Sequence, residues 1–222
     1  MTFTEGLRQA GAAIWARTRE HPFVRGIGDG TLPEERFRFY IRQDYLFLIE
    51  YARVLALAVA RGTSLAVMGR LAELLHATLT TEMALHRSYC AEFGITAEAL
   101  EATTPAPTTY AYTRHLLAVA WGGDLGEIAA SLFPCQWGYW EIARALAAAG
   151  EPVRAPLYAR WIQTYTSPEY GELAAWLREL LERLGGAASP DARERMRGHF
   201  LTSSRFELAF WEMSWRMEGW PV

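Results

Sequence analysis

Asp44 and Cys135 each stand in a helical stripe of apolar and aromatic residues, and Glu207 stands in one of aromatics and serines. Phe37, Tyr40, Ile41, Phe47, Leu48, Tyr51 and Leu55 recur at helical spacing, and Asp44 falls among them. Phe200, Ser203, Phe210, Trp211 and Ser214 form a second stripe with Glu207 in its middle, while Arg205, Glu212 and Arg216 fall on the opposite face. Ile128, Leu132, Cys135, Tyr139 and Ile142 form a third, and Cys135 follows Pro134, whose ring removes a helical hydrogen bond. A carboxylate without a partner is expensive to bury. The chain has 4 Asp against 21 Glu, so an Asp in an apolar wall is not surface filler. A thiol and two carboxylates can supply a nucleophile, an anchor and an acid/base. The plain structural alternative is an arginine bridge for each carboxylate and a small buried hydrophobe for the cysteine. Two carboxylates on two apolar stripes favour a shared polar cavity over two unrelated bridges.

Glu82, His86 and Cys90 follow one another at i, i+4 and i+8. A Glu and a His one turn apart suit metal ligation, but a two-metal carboxylate bundle needs several more inward Glu or His. His21, His76, His115 and His199 stand in no matching motif, so Glu82 and His86 read as a supporting pair behind the site, with no metal expected. Phe47, Tyr112, Trp137, Tyr139, Tyr165 and Phe210 lie near the polar stripe residues in sequence or on neighbouring helices. Most aromatics are core, yet a flat heteroaromatic ligand needs such walls. Stacking contributes roughly 0.5–1.5 kcal/mol per aromatic pair beyond area burial.

The elements that must carry these residues read as helices throughout, because strand-type alternation is missing and breakers separate long 3.6-period segments. Thr31-Leu-Pro-Glu34 has the pattern of a capping box with proline in the first turn, opening a helix to about Arg61. A second long helix is expected from about Ser64 to Phe93, stopped by Gly94. Glu101 to Thr108, with two prolines, reads as a loop. A helix then runs to Trp121, and Asp124 caps another that reaches Gly150 with Pro134 inside it. Helices are expected over 155–165 and 168–184, Gly185-Gly186 as a break, and a last helix from Pro190 to about Met217. Short loops and the absence of a linker, repeat or low-complexity segment favour an all-α, single-domain bundle over 1–222.

Composition narrows the function. The 222 residues suffice for a self-sufficient core, since a chain this long buries about 70% of its unfolded surface. All 22 basic residues are Arg. The missing lysine removes Schiff-base chemistry and the phosphate-loop lysine. A net charge of -3 and a pI of about 6.0 argue against a nucleic-acid partner. Two cysteines, Cys90 and Cys135, make neither a disulfide framework nor a C-x-x-C site and suit a reduced cytoplasmic setting. The start of the chain has no signal-like apolar core, and the richest apolar run, Val54 to Ala60, stops at Arg61, so no membrane role is expected.

Four blocks resemble the TenA/thiaminase II family. They are Gln43-Asp44-Tyr45; Phe133-Pro134-Cys135-Gln136-Trp137-Gly138-Tyr139-Trp140-Glu141-Ile142; Tyr158-x-x-Trp161-Ile162-x-x-Tyr165-x-Ser167; and Ser203-Ser204-Arg205-x-Glu207-x-x-Phe210-Trp211-x-Met213. Their order and spacing agree across nearly the whole chain, and the Pro-Cys-x-Trp-x-Tyr-Trp-Glu block is the most specific. The resemblance implies a heme-oxygenase-like helical bundle without haem or other cofactor, usually a homotetramer. It implies hydrolysis of thiamin-related aminopyrimidines to 4-amino-5-hydroxymethyl-2-methylpyrimidine for thiamin salvage, from the aminomethyl breakdown product and from thiamin. Carried over by motif, Cys135 is the nucleophile of the cysteine-bearing branch, Asp44 holds the amino-side edge of the pyrimidine, and Glu207 is the acid/base near the leaving group. Phe47, Tyr112, Tyr139, Tyr165 and Phe210 become pocket walls and hydroxyl donors. Many members have Tyr where this chain has Phe47, which removes one hydroxyl and leaves the stack. Two other classes remain open on the sequence: a metal-dependent oxidase of the same fold using Glu82 and His86, and a pyrimidine-binding regulator without turnover.

Overall fold

The protein, a computed structural model, is described over residues 1–150 and 152–221. Helices dominate, and no strand occurs among the described residues. The chain begins with three eight-residue helices, α1 (Phe3–Ala10), α2 (Ala12–Arg19) and α3 (Pro22–Asp29). The long α4 (Glu34–Ala60) follows, then α5 (Leu65–Ala77), a π-helical turn (Thr78–Glu82) and α6 (Met83–Glu92). The rest are α7 (Ala97–Glu101), α8 (Pro107–Gly122), α9 (Leu125–Ala149), α10 (Pro156–Tyr165), α11 (Pro168–Ala187) and α12 (Pro190–Arg216). No helix among the described residues is long and apolar enough to cross a membrane.

The chain divides into two compact units. One holds residues 34–128 and 213–222 and is built around α4, which packs against α5, α6, α7 and α8. Its stripe Phe37, Tyr40, Ile41, Phe47, Leu48, Tyr51 and Leu55 is buried as its spacing requires, with Asp44 inside it. The other unit holds residues 1–33 and 129–212, with α1 against α11, α3 against α10, and α9 joined to α12 through ring contacts. Ser64 caps α5 by accepting from the Val67 N–H, and Gly94 (φ 69°) lets the chain leave α6 in the left-handed region. Asp124 and Glu127 cap α9 reciprocally, each carboxylate accepting from the other's backbone N–H at 2.9 Å. Helix α9 runs on through Pro134, which withholds from the Ala130 carbonyl its helical donor.

Three local expectations change. Thr31 is not the cap of α4, which starts at Glu34. Its backbone N–H and hydroxyl are spent on Asp29 Oδ1, at 3.0 and 2.6 Å. The helix expected over 64–93 contains the π turn. Gly185-Gly186 does not break α11, which runs to Ala187. Gly185 answers a packing demand, since a Cβ there would fall 2.1 Å from Cδ1 of the Phe3 ring. The same approach lets Glu182 of α11 cap α1. Its Oε1 accepts from Phe3 N–H, and its Oε2 accepts from Thr4 N–H and hydroxyl, each at 2.8 Å.

This contact makes Gly185 sensitive to a single methyl. Gly185→Ala gains up to about 1 kcal/mol of helix propensity, but overpacking against a ring typically costs about 1–3 kcal/mol. Chemical denaturation should show a net loss of stability that Phe3→Ala partly relieves in the double variant. A Gly185→Ala protein as stable as wild type contradicts the packing reading.

Candidate active site

Asp44 is 3% exposed, and both of its hydrogen bonds go to one oxygen. The Tyr40 hydroxyl, one turn earlier on α4, donates to Oδ2 at 3.0 Å, and His86 Nε2 on α6 lies 2.8 Å from the same atom. Oδ1 has no hydrogen bond among the described residues. His86 is 1% exposed, and its Nδ1 lies 2.8 Å from the Glu82 carbonyl oxygen. Burial by itself lowers the imidazole pKa. The hydrogen bond and charge of Asp44, followed by the Glu82 carbonyl and carboxylate, outweigh it and raise His86 above its ordinary 6.5. The π turn that ends at Glu82 supports this arrangement, because α6 begins there and presents His86 one turn later.

The neighbouring Gln43 ties α4 to the start of α8. Its Nε2 donates to the Thr104 carbonyl at 3.1 Å, and its Oε1 accepts from Ala106 N–H and the Thr109 hydroxyl, both at 2.8 Å. That clamp sets Tyr112 on α8 beside Phe47, ring centroids 5.0 Å apart, and the Tyr51 ring lies 5.6 Å from Phe47. The structure therefore gathers Asp44, His86, Phe47 and Tyr112 in the α4-centred unit. Glu82 contributes its backbone carbonyl to His86. No group of three or more His, Cys, Asp or Glu side chains is placed for a metal ion among the described residues.

In the other unit, Tyr139 stands one turn after Cys135 on α9 and meets Tyr165 edge-on at 5.0 Å. Trp211 lies 5.3 Å away and Trp161 5.8 Å away. The two cysteines differ sharply. Cys135 is partly exposed, whereas Cys90 is buried, and that burial raises its thiol pKa against the opposing charge of Arg42. Glu207 is 8% exposed on α12, with buried Ser203, Ser204, Phe210 and Trp211 on the same helix. It lines a narrow crevice with Trp15, Thr18, Pro134, Gly138 and Ser204.

One rim of that crevice is a polar knot. Glu141 accepts from Arg8 at 2.7 and 2.9 Å, from Arg19 at 3.0 Å and from the Trp137 indole at 3.1 Å. The Trp15 indole N–H donates to the Ser204 hydroxyl at 3.1 Å. Glu141 and Trp137, both in the most specific sequence block, thus brace α9 beside Cys135. Sequence reasoning counted Tyr40 only as core and missed its hydroxyl contact with Asp44. The available signal was a phenol one turn before a buried carboxylate.

The chain is similar to known proteins over nearly its whole length. The TENA/THI-4/PQQC family model matches residues 8–217. An aminopyrimidine aminohydrolase of Halalkalibacterium halodurans is 43% identical over 220 residues, covering 99% of this chain and 98% of that protein. One of Helicobacter pylori is 37% identical, covering 97% of this chain and all of that protein. A crystal structure described as a TenA family transcription regulator, from a Silicibacter species, superposes with a TM-score of 0.88 at 35% identity, covering 96% of both chains. A Shewanella denitrificans domain with a heme oxygenase-like fold superposes at 0.77 over 96% of this chain and 92% of that one, and at 15% identity it speaks for the fold alone. A match spanning nearly every residue, together with relatives this close, places the chain in the TENA/THI-4/PQQC family.

Proposed function

We propose that the chain is an aminopyrimidine aminohydrolase of the thiaminase II type, acting in thiamin salvage. It converts 4-amino-5-aminomethyl-2-methylpyrimidine, and thiamin, to 4-amino-5-hydroxymethyl-2-methylpyrimidine. The observation that carries the reading is Asp44, a buried carboxylate with one oxygen fully engaged and the other free for a ligand, in a chain 43% identical to an aminopyrimidine aminohydrolase. On the family resemblance the working form is a cytoplasmic homotetramer.

In this proposal Asp44 holds the amino-side edge of the pyrimidine, and Phe47, Tyr112, Tyr139, Tyr165 and Phe210 supply aromatic walls and hydroxyls. The Cys135 thiolate adds to the ring, forming a C–S bond, and the ring electrons expel the amine from the exocyclic methylene. Glu207 gives that amine its proton and then takes one from the water that adds to the methylene carbon. The C–S bond breaks last, restoring the aromatic ring and the thiolate. The net reaction consumes one water and releases one ammonia from the aminomethyl pyrimidine, or the thiazole from thiamin. His86, Glu82 and Tyr40 support Asp44 without touching the reacting atoms.

Three variants test the roles. Cys135→Ser should fold and lose at least about 10³-fold in turnover, on the scale of nucleophile deletions elsewhere, while Cys90→Ser stays within about twofold of wild type. Wild-type turnover in Cys135→Ser excludes covalent catalysis by this residue. Asp44→Ala should lose pyrimidine affinity in calorimetry while keeping its helical circular dichroism. Undiminished affinity removes the anchoring role. Glu207→Gln should slow the aminomethyl pyrimidine by about 10²-fold, the usual scale of a lost general acid. Thiamin should suffer less, because its thiazole leaves without needing a proton. Equal losses on both substrates reduce Glu207 to a pocket wall.

A further inference from the structure

His86 has two ring nitrogens and two different neighbours, and together these fix where its protons lie. Nδ1 is 2.8 Å from the Glu82 carbonyl oxygen, which carries only lone pairs, so Nδ1 must bear a hydrogen. Nε2 is 2.8 Å from Asp44 Oδ2. A neutral imidazole protonated at Nδ1 would aim the Nε2 lone pair at a carboxylate oxygen, so a proton must sit between the two atoms. Tyr40 also spends its hydroxyl hydrogen on Oδ2. Oδ2 is therefore met twice, and Oδ1 is left with lone pairs and no donor of its own.

We propose that His86 is a positioning residue. As an imidazolium it pins Oδ2 of Asp44, and with Tyr40 it turns Oδ1 into a standing hydrogen-bond acceptor that selects a 4-amino over a 4-oxo pyrimidine. This rests on the reading of Asp44 as the pyrimidine anchor and deepens it. The selection follows from edge chemistry. A 4-aminopyrimidine presents an N–H at the position where the 4-oxo ring presents a carbonyl oxygen, and that oxygen would set lone pairs against the lone pairs of Oδ1. A buried polar group left without its partner is the strong form of discrimination, worth far more than a lost methylene.

The surroundings of His86 agree. The charged groups acting on it are Asp44 from α4 and the Glu82 carboxylate from the π turn, both anionic. Tyr40 of α4 faces the same carboxylate oxygen, and Cys90 lies one turn further along α6 with its thiol pKa raised by burial. These anions hold the imidazole above its ordinary 6.5 in spite of full burial. With the folded-state value raised, the stability drawn from the pair is complete below 6.5 and is lost as the pH rises through the folded-state value.

The test uses the full-length protein labelled with ¹⁵N-histidine, and calorimetry with two ligands: 4-amino-5-hydroxymethyl-2-methylpyrimidine and its 4-oxo counterpart. At pH 7 both His86 nitrogens should carry protons, assigned by their loss in His86→Gln. A bare Nε2 at that pH overturns the proposal without need of any folded variant. Wild type should bind the amino ligand at least about 100-fold more tightly than the oxo ligand. His86→Gln should lose at least about tenfold of that ratio, a loss of the size expected for a charge-assisted hydrogen bond. It should also lack the alkaline fall in affinity that marks His86 deprotonation in wild type. Should His86→Gln not fold, Tyr40→Phe removes the other donor to Oδ2 and should narrow the same ratio. An unchanged ratio in a folded variant overturns the proposal. Asp44→Ala separates the two claims. Unaltered amino-ligand affinity there defeats the anchoring reading, whereas a lost affinity alongside an unchanged His86→Gln ratio defeats the positioning role alone.

Discussion

Taking a carboxylate out of water costs several kcal/mol unless charge and hydrogen bonds meet it, and in the α4-centred unit that demand governs the local design. Asp44 is met by His86 and Tyr40 on one oxygen. His86 in turn needs the Glu82 carbonyl, and the Glu82 position follows from the π turn that separates α5 from α6. Around the pair, Phe37 packs edge-on against Tyr89 and Phe47 lies tilted against Tyr112, so the polar contacts sit among aromatic rings. Low local dielectric strengthens the satisfied bonds and penalises any that is broken. The unit therefore holds one ionisable oxygen in a fixed place at the expense of local helix regularity.

The second unit solves a different problem. The proposed role of Cys135 asks for a reachable sulfur on a braced helix. Cys135 is partly exposed, while the residues just after it are braced from two sides. Trp137 donates to Glu141, and Glu141 gathers Arg8 and Arg19. Arg8 also lies over the Trp15 ring at 3.6 Å, and Trp15 donates to Ser204, one turn from Glu207 on α12. Half-exposed ion pairs of this kind contribute little stability one at a time, so the knot is better understood as registration of α2, α9 and α12. The Phe3 ring against Gly185 and the Glu182 cap tie α1 to α11 in the same manner.

Much of this was legible in the chain. Asp44 and Glu207 stood out because a charge on an apolar stripe contradicts the pattern around it, and the buried stripes of α4 and α12 follow the 3.6 period. Tyr40 was not legible as a site residue, since a phenol fits a core stripe and hides its hydroxyl. The π turn has no clear mark in the sequence beyond the β-branched run Thr78, Thr80 and Thr81, because it is set by what α6 must reach. Gly185-Gly186 misleads because glycine signals both a helix end and a close approach, and only the position of Phe3 separates them. Helices α1, α2 and α3 escaped because eight residues carry too little periodicity. The sequence motif distinguished Cys135 from Cys90, and burial distinguishes them independently.

The central claim is that this chain replaces the amine of an aminomethyl pyrimidine with water. The direct measurement is mass spectrometry of the product formed from 4-amino-5-aminomethyl-2-methylpyrimidine in ¹⁸O-water, with ammonia measured in the same sample. The account predicts a hydroxymethyl pyrimidine carrying one ¹⁸O in its side chain and one ammonia per product. A ring-deaminated product that keeps its aminomethyl group, or tight binding with no turnover at all, would contradict it.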